Sequence, residues 1–437
     1  MTNCTPSSMR FSPLNRKKVE VNFNGGCITT DGGLLLIRET DKQLGLIKCL
    51  SKAIKDERHT GYVRHSVEQM LRQRVYGLAA GYEDVTDHDT LRKDLAFQIA
   101  VGKERELASS STLSRFENNI DRSSLVAMSH ALVEHFIQRH KQPPKELILD
   151  FDPTDNEIYG QQENRAYHGY YKHYCFLPLH VFCGKHLLVS MLRPSNIDGA
   201  KYSGAILKLL VKRFRQVWPK VNIIFRGDCA FGRKRILYWC ENNGIQYVTG
   251  ISGNKRLQEL AKPLMQLAKE QYEKNSEKQR LFSEYQYSAN SWKNSRRIVA
   301  KAEHHEHGTN LRFLVTNMSQ PAQELYDDHY CPRGDMENGI KQLKLDLHSD
   351  RNSCSDFLAN QFRLLLSSIA YTLITELQDL HLGSTQFKKS YCGTIRLKLF
   401  KIGAVILKNS RRIQVLLSSS CPYQKDFISA AESLVPT

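Results

Sequence analysis

Four residues in the C-terminal half of the chain have types and spacing suited to chemistry on an anionic substrate. Tyr330, Arg333, Glu337 and Lys344 follow one another at intervals of three, four and seven. At about 100° per residue, with Tyr330 as zero, the others fall near roughly 300°, 340° and 320°, one narrow stripe of a helix. The stripe is polar where a core-facing stripe would be apolar. A carboxylate between an Arg and a Lys suits an anionic group held beside a metal ion. The competing reading is a solvated face, with Arg and Lys four and seven residues from a Glu, contributing tenths of a kcal/mol per pair.

Two further acidic segments stand at strand ends. In Ile148-Leu149-Asp150-Phe151-Asp152-Pro153-Thr154-Asp155, Asp150 and Asp152 point to one face of a strand because side chains alternate. Ionised carboxylates on a strand need solvent, a partner or a metal; an edge face open to water is the simplest alternative. Asp155 reads as a turn or cap residue. In Phe225-Arg226-Gly227-Asp228-Cys229-Ala230-Phe231-Gly232, Asp228 follows an apolar strand and precedes a helix, where ligand sites of open α/β sheets lie. The same position also suits a helix N-cap. Together the acids suit hard ions such as Mg²⁺ or Mn²⁺. Two such ions clamp the attacking and leaving oxygens of an in-line phosphoryl displacement. Arg226, Arg333, Lys341 and Lys344 are the candidate phosphate holders.

The elements that must position these groups follow from periodicity. Residues 1–17 read as a flexible N-terminus and 18–144 as a mostly helical region. The latter contains helices over 65–80, 90–101 (capped by Asp89), 113–118 and 123–140, and Pro143-Pro144 closes it. Strands are predicted over 146–152, 176–183 and 187–192. A helix over 199–218, a strand over 221–225, a helix over 234–243 and a strand over 246–251 complete a β-β-β-α-β-α-β order. Residues 254–325 read as a charged helix and then a β-rich insertion. Pro332 is expected to begin the helix that carries Glu337, which would leave Tyr330 just outside it. A long apolar helix spans 357–380. Residues 381–437 form a basic C-terminal region with an amphipathic helix over 396–406.

The 437 residues carry a formal net charge of +17, with 62 basic and 45 acidic side chains. An excess spread over the whole chain favours a nucleic-acid partner. Eleven cysteines without any C-x-x-C pair support neither a zinc ribbon nor a redox pair. The odd count fits a reducing cytosol. No secretory signal is apparent, and no apolar run reaches the length of a membrane span. His304, His305 and His307 lie in a charged turn without a nearby Cys and read as solvent-exposed.

The spacing Tyr-x2-Arg-x3-Glu-x6-Lys at Tyr330, Arg333, Glu337 and Lys344 resembles the YREK signature of bacterial insertion-sequence transposases with a DDE active site. Leu149–Asp155 is similar to their first-acid strand and Arg226–Phe231 to their second-acid motif. His168-Gly169-Tyr170-Tyr171, Leu177-Pro178-Leu179 and Asn360–Leu364 are similar to one subgroup. The likeness runs from about residue 20 to about residue 380. It implies an RNase H-like mixed sheet with flanking helices, with the core at 145–253 and 326–380 and the insertion at 254–325 before the last catalytic helix. It also implies Asp152, Asp228 and Glu337 as ligands of two Mg²⁺ ions (Mn²⁺ substituting), with Asp152 chosen over Asp150 because it is followed by x-Thr. Ala230 departs from the pattern, which has Gly there. The implied reaction is cleavage of double-stranded DNA at terminal inverted repeats, followed by strand transfer of the 3′-OH to target DNA, with residues 18–144 as the DNA-binding region and Tyr330 beside Arg226, Arg333, Lys341 and Lys344 among the DNA- and phosphate-binding residues. Trp292 is a candidate for stacking on an unpaired base. A homodimer or larger assembly on DNA, in the cytoplasm with the nucleoid, is expected. A nuclease without strand transfer and a DNA-binding relative without catalysis are the alternative readings.

Overall fold

The computed structural model describes residues 8–435. Two compact units are present. One comprises the described parts of Met1–Ser51 and Leu373–Thr437 together with Asp56–Phe116; the other comprises Lys52–Lys55 and Glu117–Thr372.

The first unit holds short helices, among them Leu35–Leu44, Val67–Ala79 and Leu95–Val101, and a three-stranded sheet of Ile28–Thr29, Ala404–Lys408 and Ile413–Leu417. The expected flexible N-terminus at 1–17 falls partly outside the described residues. Within the described part, Met9–Leu14 is a strand paired antiparallel with Lys17–Val21. Asp94, not Asp89, caps the helix that ends at Val101, accepting the Phe97 N–H at 3.0 Å. Asp89 instead accepts from Ser110. The amphipathic helix expected over 396–406 is only a single wide turn, Arg396–Phe400. The chain then extends into Ala404–Lys408, whose Val and Ile suit a strand.

The second unit is organised by one eight-stranded mixed sheet. In chain order its elements are β1 (Glu146–Pro153), β2 (Leu179–Cys183), β3 (His186–Met191), α1 (Ser203–Val217), β4 (Asn222–Gly227), α2 (Lys234–Asn242), β5 (Gln246–Ile251), α3 (Lys255–Asn275), β6 (Gln279–Tyr287), β7 (Arg296–His305) and β8 (Gly308–Thr316). Later come α4 (Gly334–Lys341) and α5 (Phe357–His381), of which the part up to Thr372 belongs to this unit. The strands lie in the order β6-β7-β8-β5-β4-β1-β2-β3. β4 is parallel to both β1 and β5, and the remaining pairs are antiparallel. The insertion between Asp228 and Glu337 therefore extends the same sheet past β5. Strands β4 and β5 are central and covered on both faces, so Asn-Ile-Ile-Phe-Arg-Gly and Gln-Tyr-Val-Thr-Gly-Ile are buried almost throughout.

One sheet face buries Phe151, Phe225, Leu207, Phe214 and Leu237 under α1 and α2; the other buries Ile224, Val248, Val299 and Leu314 under Leu325 and Tyr326. Arg122–Gln138, expected on the N-terminal side of the Pro143-Pro144 boundary, belongs to this unit, and Phe136 packs on Phe214 and His186. The expectation that no apolar run reaches membrane-spanning length is corrected by α5. This 25-residue helix is long and apolar enough, but 78% of its most apolar window is buried inside the protein, as in a core helix.

Candidate active site

The register of two parallel strands sets the first two acids side by side. On β1 and β4, Asp150 lies opposite Arg226 and Phe151 opposite Gly227. One further step places Asp228, the first residue past β4, beside Asp152 near the end of β1. Neighbouring strands are about 4.8 Å apart, so the backbone holds these carboxylates close before any ligand arrives. The Asp228 carboxylate accepts the Ala230 N–H at 2.8 Å. Ala230 is not among the residues with positive φ, so its Cβ costs no strain where the resemblance had Gly.

The third acid arrives on a helical path running from Ala322 to Asp346. Pro332 does not begin it. A wide turn over Leu325–Tyr330 comes first, in which the Cys331 N–H reaches the Tyr326 carbonyl. The tight turn Cys331–Arg333 holds Pro332 near its start, and α4 follows. Tyr330 is therefore on the path, with helical φ −95° and ψ −47°. Its hydroxyl approaches Gly250 of β5, where an added Cβ would sit 3.1 Å from that oxygen and 2.8 Å from the Cys229 nitrogen. Gly250 thus leaves room for both the Asp228 loop and Tyr330. Only the folded register reveals this role.

Arg333 links the acids. Its guanidinium lies 3.9 Å from Asp152 Oδ1 and 2.7 Å from Glu337 Oε1. Asp152, only 16% exposed, has its carboxyl pushed up to about 7. Burial is the main cause, Arg333 opposes it, and the charges of Asp228, Glu337 and Asp150 add to it.

Several expected phosphate holders are placed otherwise. Arg226 is buried and binds Asp150 bidentately through its Nε/Nη2 edge, Nη2 to Oδ2 at 2.7 Å, while Nη1 donates to the His329 carbonyl at 2.6 Å. It is nearly cut off from solvent, and the Asp150 carboxylate, the alternative first acid, is taken up in this ion pair. A second wide turn, Gln342–Asp346, changes the helical phase and takes Lys344 off the predicted stripe. Lys344 Nζ instead donates to the Asp155 carbonyl at 2.7 Å and lies 3.3 Å from its carboxylate, whose other oxygen lies 3.0 Å from His173 Nε2. Asp155, read from sequence as a turn residue, is therefore an ion-pair hub three residues past Asp152. Lys341 is exposed on α4 and has no carboxylate within ion-pairing distance among the described residues.

Trp292 is half-buried against the core, with the Arg296 guanidinium 4.6 Å from its ring centre and the Tyr287 ring edge-on at 5.7 Å. One face of the ring is therefore covered within the protein. His304 bonds Thr309 and His307 lies by Glu306, both at the exposed β7–β8 turn.

Among the described residues no three acidic, His or Cys side chains already converge as a metal site. The donor chemistry nevertheless fits a hard divalent ion. Asp152 and Asp228 offer carboxylate oxygens in register, Glu337 is held nearby by one ion pair, and burial together with the neighbouring acids disfavours charge on the Asp152 carboxyl, which Arg333 only partly offsets.

Among curated proteins none matches the chain. One solved structure similar to it is described as the "Cryo-EM structure of piggyBac transposase synaptic complex with hairpin DNA". It is 13% identical, with a TM-score of 0.43, over 85% of this chain and 80% of that one. That likeness is too distant to fix fold or ligand. The family model for the transposase DDE domain, group 1, matches residues 11–437, and the chain accordingly belongs to that transposase family.

Proposed function

We propose that this protein is a metal-dependent transposase of a bacterial insertion sequence. On this reading it has an RNase H-like core, cuts double-stranded DNA at the terminal inverted repeats and transfers the freed 3′-OH into target DNA. The observation that carries the reading is the register that sets Asp228 beside Asp152, with Arg333 bridging Asp152 to Glu337.

Asp152, Asp228 and Glu337 would hold two Mg²⁺ ions, with Mn²⁺ as a substitute. Bound there, the ions supply charge neutralisation at the phosphoryl group and activation of the attacking oxygen. The chain's own side chains do the rest. Glu337 swings from Arg333 toward the acids, and the released guanidinium turns to a non-bridging phosphate oxygen, which its fork geometry suits. Lys341, exposed one turn further along α4, takes a neighbouring phosphate. Tyr330 packs beside the Asp228 loop and fixes its position, and Lys344 secures Asp155 behind Asp152. Water attacks phosphorus and the 3′ oxygen leaves. In the second step that 3′-OH attacks a target phosphodiester, whose own 3′ oxygen leaves with a proton, so no protein nucleophile is needed. Two ends must be joined, so the working form is a homodimer or larger on DNA, in the cytoplasm with the nucleoid.

The test is cleavage of DNA carrying the element's ends, with Mg²⁺ or Mn²⁺, by wild type and Asp228→Ala. Metal-dependent cutting lost in the variant, with end-to-target joined products from wild type, is expected. Equal cutting by both proteins would falsify the site. Cutting without joined products would reduce the enzyme to a nuclease.

A further inference from the structure

A cavity of about 650 Å³ opens between the start of α1 and the start of α2. Its wall carries Lys201, Lys208, Arg233, Lys234 and Arg235 against a single acid, Asp198. Arg233 pairs with Asp198 at 2.6 Å. The other four cations are exposed, and none has a carboxylate within 4 Å among the described residues. Lys201 lies over the ring of Tyr202 and Lys208 over that of Trp239, so two aromatic rings also border the space.

The placement of these charges is opposite to what the helices prefer. Neither α1 nor α2 has a side-chain N-cap or an acid in its first turn. The N-terminal end of a helix carries partial positive charge, which favours acids and disfavours cations. Here Arg233, Lys234 and Arg235 crowd the start of α2, and Lys201 sits two residues before α1. Folding alone gives no reason for four unpaired cations around one cavity, three of them at positive helix ends. An anion with several charges does.

The cavity also adjoins the acids. A Cβ added at Gly199, next to Asp198 of the cavity wall, would lie 3.7 Å from the Pro153 ring and 3.6 Å from Ala230 Cβ. Pro153 follows Asp152, and Ala230 is two residues past Asp228. A nucleic-acid strand crossing the acids would present its next phosphates here.

We propose that this cavity binds the phosphodiester backbone of the DNA strand being cleaved, immediately beside the cut phosphate. The proposal rests on the DNA-cutting reading above. It adds a second site on the same strand, built from Lys201, Lys208, Lys234 and Arg235, that sets the register of the cut.

The test compares the full-length protein with a triple variant, Lys201→Gln/Lys234→Gln/Arg235→Gln, and with a control that removes three exposed charges on α3, Lys262→Gln/Lys269→Gln/Lys274→Gln. Binding of a fluorescent 30-base-pair duplex is followed by anisotropy from 50 to 200 mM salt. Each lost phosphate contact lowers the slope of log K against log salt by about 0.9. The cavity variant should lose about two to three units of slope and shift or blur the cut position on end-bearing DNA, while the control keeps both. An unchanged slope and cut position in the cavity variant, with wild type binding and cutting normally, would overturn this site and leave the functional reading intact. So would an equal loss in the control. Normal cutting with loss only of joined products would assign the cavity to target DNA and overturn the proposal as stated. A wild type that neither binds nor cuts DNA would instead remove the functional reading on which it rests.

Discussion

Arg226 on β4 grips both carboxylate oxygens of Asp150 on β1, one inward-facing step below the Asp152–Asp228 pair. The two pairs repeat along the same parallel register. The lower is a buried ion pair, whereas the upper sets like charges side by side. Burial raises the Asp150 carboxyl, and the Arg226 guanidinium works against that rise. Arg226→Met leaves a buried carboxylate without its partner, which costs about 3–5 kcal/mol. The double variant Arg226→Met/Asp150→Leu should recover most of that loss. Urea unfolding of the three proteins checks this. A stable Arg226→Met protein with weakened DNA binding would restore Arg226 as a phosphate holder.

Arg333 lies within ion-pairing distance of both Asp152 and Glu337 and sits in the tight turn just before α4, which carries Glu337. Arg333→Gln should reduce metal-dependent cutting about 10²–10³-fold, the usual effect of losing one transition-state donor. Folding should be little changed, because the Glu337 partner is exposed and such pairs contribute about 0–1 kcal/mol. Single-turnover cutting and thermal melts on the same preparation separate the two effects. A protein that melts early and cuts normally once folded would make Arg333 merely structural.

Asp152 offers a stability test with a defined sign. Its carboxyl is raised from 3.8 to about 7 in the folded protein. Ionising it therefore opposes folding, and the penalty grows as pH rises from the unfolded value to the folded one, then stays constant. At pH 8 in EDTA, Asp152→Asn should be more stable than wild type by about 1–3 kcal/mol, below the roughly 4 kcal/mol that a three-unit shift would give without relaxation. Added Mg²⁺ should stabilise wild type and leave the variant unchanged. A variant less stable than wild type in EDTA would show that the carboxylate is not repelled.

The acids were legible because their signals are local: alternation put two on one strand face, and an apolar strand running into Arg-Gly-Asp put another at a strand end. The helical stripe was legible only in part. Its angles assumed 3.6 residues per turn, and two wide turns, Leu325–Tyr330 and Gln342–Asp346, shift the phase and send Lys344 to Asp155. The fate of Arg226 was hidden because a cation in a strand looks the same in sequence whether it meets solvent or a partner 76 residues earlier. Gly250 was hidden for the same reason, since what crowds it comes from two distant segments.

Trp292 separates packing from DNA contact. Its ring lies between Arg296 and the Tyr287 edge and is packed on the core. Trp292→Ala should destabilise by about 2–4 kcal/mol, somewhat less than the roughly 3–5 kcal/mol of a fully buried aromatic because the ring is only half-buried. Cutting at a temperature where the variant is folded should match wild type. Urea midpoints and cleavage at 20 °C give both readouts, and unchanged stability with lost cutting would return Trp292 to the DNA.

His180 lies directly across β1–β2 from Asp152 and shares a hydrogen bond with Ser190 Oγ at 2.8 Å. It is fully buried, and its pKa is pushed down to about 3. Burial is the main cause, and the charges of Arg193 and Lys344 add to it. A folded-state value below the unfolded 6.5 means that the unfolded chain binds the proton first. Stability is then complete above about 6.5 and falls as pH drops toward 3. Between pH 7 and pH 5 this one group should cost about 2 kcal/mol, at 1.36 kcal/mol per unit below 6.5. His180→Gln keeps a polar partner for Ser190 and cannot charge. The difference between the wild-type and variant urea midpoints at pH 7, 6 and 5 isolates His180 from the other buried histidines. Wild type should lose stability faster on acidification, and parallel curves would mean that His180 is solvated in the folded protein.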